Sequence, residues 1–596
     1  MVNDLLFVTP ESEGLPSAAV LELLDFFEEE RINMHSFMLV RRGKILTEAY
    51  YKPFDESFMH RLYSCSKSIV ALAVGRLVGE GLVSLDAPLL SYFPEFSPTD
   101  PEQRHTTVEQ ALMMTLPFVG SHYSRLPGER GVGKLISECW DRAYFSDRHP
   151  TVKLPGTIFE YHSHTSYILG LLVERISGQT FLDYLRPVFD KIGVSRDIRC
   201  VNSPDGHPWG SSGVICTMRD FAKIGELILR KGEYLGEQLL PRDYMERATS
   251  SLTDTLQDGG YSLSRRGYGY QIWTEAYGYG MHGMGGQFVF CFPDKDFMFV
   301  CNADTQDSAG NRMEMLYYQV ARMYKRIDTA TGCAAEDYAT LCERLKGLKI
   351  DRSFGAAHSP LEASFSAKEF TLTKNPMGIS RLSLKFSEDR GVLIYDTPRG
   401  EKNIPFGLGD YLDILFPEEH YYDMTIKRSG GRCPRALSTG SFLRENKLLI
   451  AVDIIDNSLA TLGILIELSD GAISLKMTNS AEEFLEEYRG FAIGRYPRRA
   501  VSSDKSKKIR TDKPSEGLGP YFYFILATLM RFMALAIFAF ARRSSRSPLA
   551  FEMADSAASF AALARFRSIS SENSKVIATS LTSPRATVRK PPAAEA

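Results

Sequence analysis

Leu62-Tyr63-Ser64-Cys65-Ser66-Lys67-Ser68-Ile69-Val70 runs directly into Ala71-Leu72-Ala73-Val74-Gly75-Arg76-Leu77-Val78. Apolar residues recur from Ile69 to Val78 at helical spacing, which predicts a helix with Ser64 and Lys67 one turn apart at its start, sharing a face. An amine then stands beside a hydroxyl. A serine hydroxyl is a poor nucleophile at neutral pH and needs a neighbouring base to attack a carbonyl. A buried lysine can be that base, and the helix N-terminus adds partial positive charge and free amides. Ser-x-x-Lys is only four letters, however, and a solvated Ser/Lys pair opening a core helix reads the same way. The rest of the chain has to separate the two.

Upstream, Ser17 is placed to cap a helix carrying Leu21, Leu23, Leu24, Phe26 and Phe27, with Glu28, Glu29 and Glu30 on its other side. Two strand-like runs follow, 36–40 and 44–51, joined at Arg41-Arg42-Gly43 as a hairpin. Downstream, Gly79 to Pro88 reads as a turn and short strand, and 95–260 mostly as helices joined by Pro- and Gly-bearing loops. Near Gly267 the texture changes. Strands are expected over 288–292 and 297–301, turning at Pro293-Asp294-Lys295-Asp296, and a helix over 309–326. Helix and hairpin at one end, hairpin and helix at the other, imply an α/β (α+β) region: one antiparallel sheet built from both ends, flanked by helices, with a helical subdomain between. Ser64 would lie where sheet and helical block meet.

This region is assigned to residues 1–345. Residues 346–500 read as strand after strand (370–373, 381–386, 391–396, 421–428, 447–455, 460–467, 473–477), a second, small all-β domain, barrel-like or sandwich-like, serving as lid or spacer. Residues 501–596 begin with a basic linker. Tyr521 to Ala541 is then a 21-residue apolar run broken only by Arg531. Its length suits a membrane helix, but a central arginine costs about 2.5 to 3.5 kcal/mol on insertion scales. An anchor and an amphipathic or unstructured tail are the two alternatives, and the Ala/Ser/Arg-rich end reads as disordered.

The bulk numbers exclude several classes. With 596 residues and a net charge of −3, nothing suggests a nucleic-acid partner. Nine scattered cysteines without a Cys-x-x-Cys pair imply neither a disulfide framework nor a zinc site. The first residues lack the basic region and apolar run of a signal peptide. A cytoplasmic location is therefore expected, membrane-anchored only if 521–541 spans a bilayer.

Two further stretches carry chemistry. Glu160-Tyr161-His162-Ser163-His164 puts a tyrosine in a loop just before a helix, and a phenol near Lys67 could relay the proton of Ser64. His162-x-His164 invites a metal, yet without a third ligand the pattern is weak. Neither a metal nor any other cofactor is called for. Gly283-Met284-Gly285-Gly286 lets backbone approach a ligand closely, and the amides of Met284 and Ser64 are the candidate oxyanion hole. An ordinary packed tyrosine and an ordinary glycine turn are the bland alternatives. Tyr268, Tyr270, Trp273, Tyr277 and Tyr279 form an aromatic cluster that lines either an acyl pocket or an edge of the core.

Taken together, Ser64-x-x-Lys67, Tyr161-His162-Ser163 and Met281-His282-Gly283 resemble the three motifs of the serine β-lactamase and penicillin-binding-protein superfamily. The resemblance spans residues 8 to 325 and points to the class C β-lactamase-like hydrolases, which include esterases and D-amino-acid peptidases. It implies Ser64 as nucleophile, Lys67 and Tyr161 as proton-handling partners, and Ser163, His282, Gly283 and Met284 around the substrate, a small-molecule ester, amide or peptide. Two positions depart from the pattern. Ser163 stands where an Asn is usual, and Met281 where a Lys or His is usual. His282 would supply a cation only if the strand register shifted. The expected function is thus a serine hydrolase acting through an acyl-enzyme on Ser64, with a non-catalytic binding or sensor protein on the same fold as the alternative.

Overall fold

A computed structural model describes residues 6–118, 144–145, 151–256, 264–305, 311–329, 335–366, 368–421, 424–425, 431–469, 471–480 and 485–496 of the 596. The apolar run at 521–541 and the basic stretch before it lie outside the described residues. Among the described residues no helix is long and apolar enough to cross a membrane.

The first helix, α1 (Ser17–Glu29), begins one residue earlier than its sequence suggests: Pro16 occupies the N-cap and Ser17 is the first helical residue. Pro16 has no side-chain oxygen to accept from the first turn, and the carboxylate of Glu11 takes up the Ser17 N–H instead, at 2.8 Å. The hairpin expected at Arg41-Arg42-Gly43 is present, between β2 (Met34–Arg41) and β3 (Lys44–Tyr50), with β1 (Leu6–Phe7) parallel to β3 at the edge. Six further strands come from the far end of the region: β4 (Thr253–Asp254), β5 (Gly267–Tyr268), β6 (Trp273–Glu275), β7 (Gly278–Gly283), β8 (Gln287–Phe292) and β9 (Phe297–Ala303). They assemble in the order β1-β3-β2-β9-β8-β7-β6-β5-β4, so both ends of the region meet at the β2–β9 pair, Leu39 opposite Phe299.

Both faces of this sheet are buried, and the period-two alternation sorts side chains between them. Met38, Val40, Met281, Val289, Cys291, Met298 and Val300 face one core, shared with α2 (Cys65–Gly79), α3 (Ser163–Ser177) and α4 (Met218–Leu229). Phe37, Leu39, Phe288, Phe290, Phe292, Phe297 and Phe299 face the other, covered by α1, α5 (Asn311–Lys325) and α6 (Ala335–Lys346). The short strand expected before Pro88 does not form. The chain turns at Gly81 (φ +71°), Leu82 is exposed, and the only pairing there is a single bridge from Pro88 to Thr107.

Beyond α6 the chain forms a ten-stranded sheet of β10 (Glu369–Leu372), β11 (Arg381–Phe386), β12 (Arg390–Thr397), β13 (Gly400–Leu408), β14 (Leu412–Leu415), β15 (Arg435–Arg444), β16 (Lys447–Ile455), β17 (Leu459–Ser469), β18 (Ala472–Ser480) and β19 (Gly490–Arg495), within one compact unit, Met1–Arg499, that also holds the first sheet. Its order is β13-β12-β11-β10-β19-β18-β17-β16-β15-β14, and a parallel β13–β15 pairing closes the sheet on itself. Closure removes the open edges on which strand addition would start. The interior is apolar, from Phe365 to Ala492. The strands β13, β14, β15 and β19 have no counterpart in the sequence reading. The strand expected over 421–428 is seen only as a bridge from Thr425 to Asn202, the neighbouring 422–423 and 426–430 lying outside the described residues.

Phe299 is fully buried at the centre of the first sheet, stacked between Phe37 (6.3 Å) and Phe290 (5.9 Å). Truncating it to alanine leaves a cavity between rigid strands, and Phe299→Ala is expected to destabilise the first domain by about 3 to 5 kcal/mol, read as a lower thermal midpoint.

Candidate active site

Ser64 occupies the N-cap of α2, with helical backbone angles (φ −64°, ψ −13°). The turn before it is tight: the amides of Cys65, Ser66 and Lys67 reach back to the carbonyls of Leu62, Tyr63 and Ser64. Closing that turn puts Tyr63 in the left-handed region, φ +48°, where a residue with a Cβ is strained. Among the described residues the amides of Ser64 and Met284 make no hydrogen bond.

Lys67 is 1 % exposed, and a buried amine needs acceptors. Its Nζ lies 2.9 Å from Ser64 Oγ and donates to the Ser211 carbonyl at 2.6 Å. The first turn of α2 is polar because each hydroxyl has a buried partner: Ser66 Oγ accepts from the Val214 amide at 3.0 Å, and Ser68 Oγ donates to the Gln271 carbonyl at 2.6 Å. Gln271, itself at φ +58°, also accepts from Ser166 on α3 (2.5 Å) and donates to the Leu112 carbonyl (2.8 Å). One glutamine thus ties the helix carrying Lys67 to the helix beginning at Ser163.

Tyr161 sits just before the N-cap of α3, with Lys67 Nζ 5.0 Å from its ring centre. The opposite support is Trp273 of β6, stacked on Tyr161 at 5.6 Å and 17°. Trp273, Tyr268, Phe159 and Met114 form a small separate cluster against Tyr161. Two of the five clustered aromatics therefore border the site. Tyr279 points into the main core, Tyr270 pairs with Arg247, and Tyr277 packs on Tyr324. His162 is the N-cap of α3, its Nδ1 accepting from the Thr165 amide at 3.2 Å, and Ser163 is the first helical residue, half-buried. Among the described residues no group of three or more His, Cys, Asp or Glu side chains is arranged to hold a metal.

The third motif closes strand β7. Gly283 is its last residue, and the turn Met284-Gly285-Gly286 leads into β8. A Cβ on Gly283 would sit 2.4 Å from the Leu62 carbonyl, so only glycine lets β7 approach the turn that carries Ser64. Met284, 37 % exposed, projects beyond that contact.

His282 departs from its expected role. The register is unshifted, Met281 opposite Val289 and His282 opposite Phe288, so Met281 faces α2 and His282 faces the phenylalanine core. Its Nε2 is 2.7 Å from Glu275 Oε1, and it packs on Phe288 and Phe290. Burial pushes the imidazole down to about 3 and the Glu275 carboxyl well up, which keeps both uncharged. His282 supplies no cation here.

Several supports of the site escaped sequence reasoning. Arg61 is buried between the rings of Tyr63 (4.4 Å) and Trp209 (4.8 Å), and donates to the Ser212 carbonyl (2.8 Å), Ser212 Oγ (2.9 Å) and Ser458 Oγ (3.1 Å). The Tyr63 hydroxyl accepts from the Leu459 amide at 2.8 Å. Behind them His35 and His60 are hydrogen-bonded ring to ring at 2.9 Å, and His60 Nδ1 reaches the Arg61 carbonyl at 3.1 Å. Backbone carbonyls and contacts several hundred residues apart leave no side-chain signature to find.

A serine and a buried lysine stand at the head of a helix, facing a tyrosine and the end of a central strand, on an α/β scaffold. The β-lactamase family model matches residues 25–322, half of the chain, and the chain belongs to that family. It is 25 % identical over 266 residues to a 6-aminohexanoate-dimer hydrolase of Paenarthrobacter ureafaciens, covering 42 % of this chain and 67 % of that protein. It is 34 % identical over 155 residues to esterase EstB of Burkholderia gladioli, covering 24 % of this chain and 39 % of that one. Among solved structures, a penicillin-binding-protein homologue from Caulobacter crescentus aligns over 54 % of this chain and all of its own, with 19 % identity and a TM-score of 0.43.

Burial holds His60 at about 4, below the ordinary value of 6.5. The unfolded chain therefore binds the extra proton first on acidification. The stability associated with neutral His60 is complete above pH 6.5 and is lost as the pH falls through about 4. Denaturation midpoints measured from pH 7 to pH 4 should fall accordingly, by on the order of 3 kcal/mol for this group, and less steeply in His60→Gln.

Proposed function

We propose that the chain is a serine hydrolase that cleaves a small ester or amide through an acyl-enzyme on Ser64. The observation that carries this reading is the buried Lys67 Nζ, 2.9 Å from Ser64 Oγ and anchored on the Ser211 carbonyl. Lys67 Nζ takes the Ser64 proton as Oγ attacks the carbonyl carbon. The amides of Ser64 and Met284 receive the negative charge that develops on the carbonyl oxygen. As the tetrahedral adduct collapses, the bond to the leaving alcohol or amine breaks, and the proton passes to it through Lys67 and Tyr161. Water then attacks the acyl-Ser64 ester under the same base, releasing the acid and restoring Oγ–H.

Ser163 at the head of α3 and Gly283 at the end of β7 are the proposed substrate-binding positions, with Trp273 and Tyr268 as the apolar wall beside Tyr161. The relatives named as an esterase and a 6-aminohexanoate-dimer hydrolase support the ester and amide classes. A β-lactam substrate is disfavoured because neither Met281 nor the uncharged His282 offers a cation to a substrate carboxylate.

Time-resolved p-nitrophenol release from a short-chain p-nitrophenyl ester tests the proposal. The wild type should give a burst followed by steady turnover, and Ser64→Ala should lose both. Lys67→Met should lower kcat by at least about 100-fold, the scale of a positioned proton-transfer group, and Tyr161→Phe by a smaller factor. No release by the wild type, with Ser64 unlabelled by a fluorophosphonate, would overturn the hydrolase reading and favour a binding protein.

A further inference from the structure

We infer that the turn Asn457-Ser458-Leu459 of the second domain positions the nucleophile of the first, so that the β-barrel is part of the catalytic apparatus. The inference rests on the acyl-enzyme reading of Ser64. It starts from Tyr63, the residue before the nucleophile, whose φ of +48° is one that a side chain disfavours. A strained conformation persists only where the surroundings over-determine it.

Tyr63 is held at its ring and at its hydroxyl. The Arg61 guanidinium lies over its ring at 4.4 Å, and the Leu459 amide donates to its hydroxyl at 2.8 Å. The same Arg61 reaches the Ser212 carbonyl and hydroxyl, next to the Ser211 carbonyl that anchors Lys67, and its remaining arm ends on Ser458 Oγ at 3.1 Å. One short turn of the barrel thus ends two lines of contact: Leu459 to Tyr63 to the Ser64 backbone, and Ser458 to Arg61 to the segment fixing Lys67.

The contacts of this turn are buried. Ser458 is 7 % exposed, Leu459 and Tyr63 1 %, and Arg61 2 %. Around it, Arg199 donates to Asn457 at 3.3 Å, the Asn202 amide donates to the Met424 carbonyl at 2.8 Å, and Leu437 and Ile455 of the barrel join the phenylalanine core of the first domain. Tyr63, Arg61 and Ser458 are positioning residues; none is placed to touch substrate.

The test uses the full chain in three variants: Tyr63→Phe, which keeps the ring under Arg61 but removes the acceptor for Leu459, Ser458→Ala on the barrel side, and Ile464→Val, a fully buried barrel position remote from the turn. Ester hydrolysis is normalised to Ser64 titrated with a fluorophosphonate, and kcat, KM, the pH–rate profile and the melting temperature are measured. Tyr63→Phe should lower kcat at least tenfold and Ser458→Ala at least threefold, with KM within twofold of wild type and the acid limb of the profile displaced. Ile464→Val should lower the melting temperature with wild-type kcat and pH profile. Wild-type kcat and profile in either Tyr63→Phe or Ser458→Ala would overturn the inference, as would an equal rate loss in Ile464→Val. If Tyr63→Phe does not fold, Ser458→Ala decides. A wild type that neither labels nor turns over sinks the hydrolase reading, and this inference with it; a wild type that does both, with unaffected variants, sinks this inference alone.

Discussion

An amine enclosed in protein must be met by acceptors or it will not stay. Lys67 is met by a hydroxyl at the head of its own helix and by the Ser211 carbonyl from a distant loop, and much of the surrounding architecture follows from keeping them in place. Helix α2 is buried on all sides, so its hydroxyls Ser66 and Ser68 need partners of their own, which Val214 and Gln271 provide. Gln271 in turn fixes α3 and hence the level at which Tyr161 and Ser163 stand. The loop bearing Ser211 and Ser212 is held by Arg61, and Arg61 is clamped between two aromatic rings. Removing any one of these layers leaves a polar atom enclosed without a partner, which is costlier than never having buried it.

The sheet adds a second constraint. Because both of its faces are covered, each strand residue is committed to one core or the other, and a position cannot be traded with its neighbour. That is why His282 cannot stand in for a missing cation at Met281. One residue along the strand is a different room: Met281 looks toward α2, while His282 looks toward Phe288, Phe290 and the carboxyl of Glu275. The glycine that follows serves the opposite purpose, since Gly283 is where the strand comes within backbone contact of Leu62.

What could be read in the chain beforehand was whatever repeats locally. The α2 pattern, the β2–β3 hairpin, the β8–β9 pair and the helix at α5 all appear within a few residues of their expected limits, because each carries its own periodicity and turn residues. The strands β13 and β15 did not announce themselves. Pro405 and Gly407 interrupt the first, and the second runs through Ser438, Thr439, Gly440 and Ser441, small polar residues that are buried only because the closed sheet surrounds them. At the site, Ser64 and Lys67 were legible as a helical pair, and Tyr161 as a loop residue before a helix. The direction of His282, the carbonyl of Ser211 and the amide of Leu459 were not, since they depend on tertiary register and on backbone groups every residue possesses.

Leu459 and Tyr63 are separated by 396 positions in the chain. Synthesis at about 5 to 20 residues per second places roughly 20 to 80 s between the two emerging from a ribosome. Throughout that interval the strained residue beside Ser64 lacks the amide that holds it, and Arg61 lacks its contact with Ser458. A nascent chain therefore carries Ser64 and Lys67 well before the barrel that meets Tyr63 and Arg61 has been made, and the barrel acts as a clock: contacts made late in synthesis complete the surroundings of residues made early.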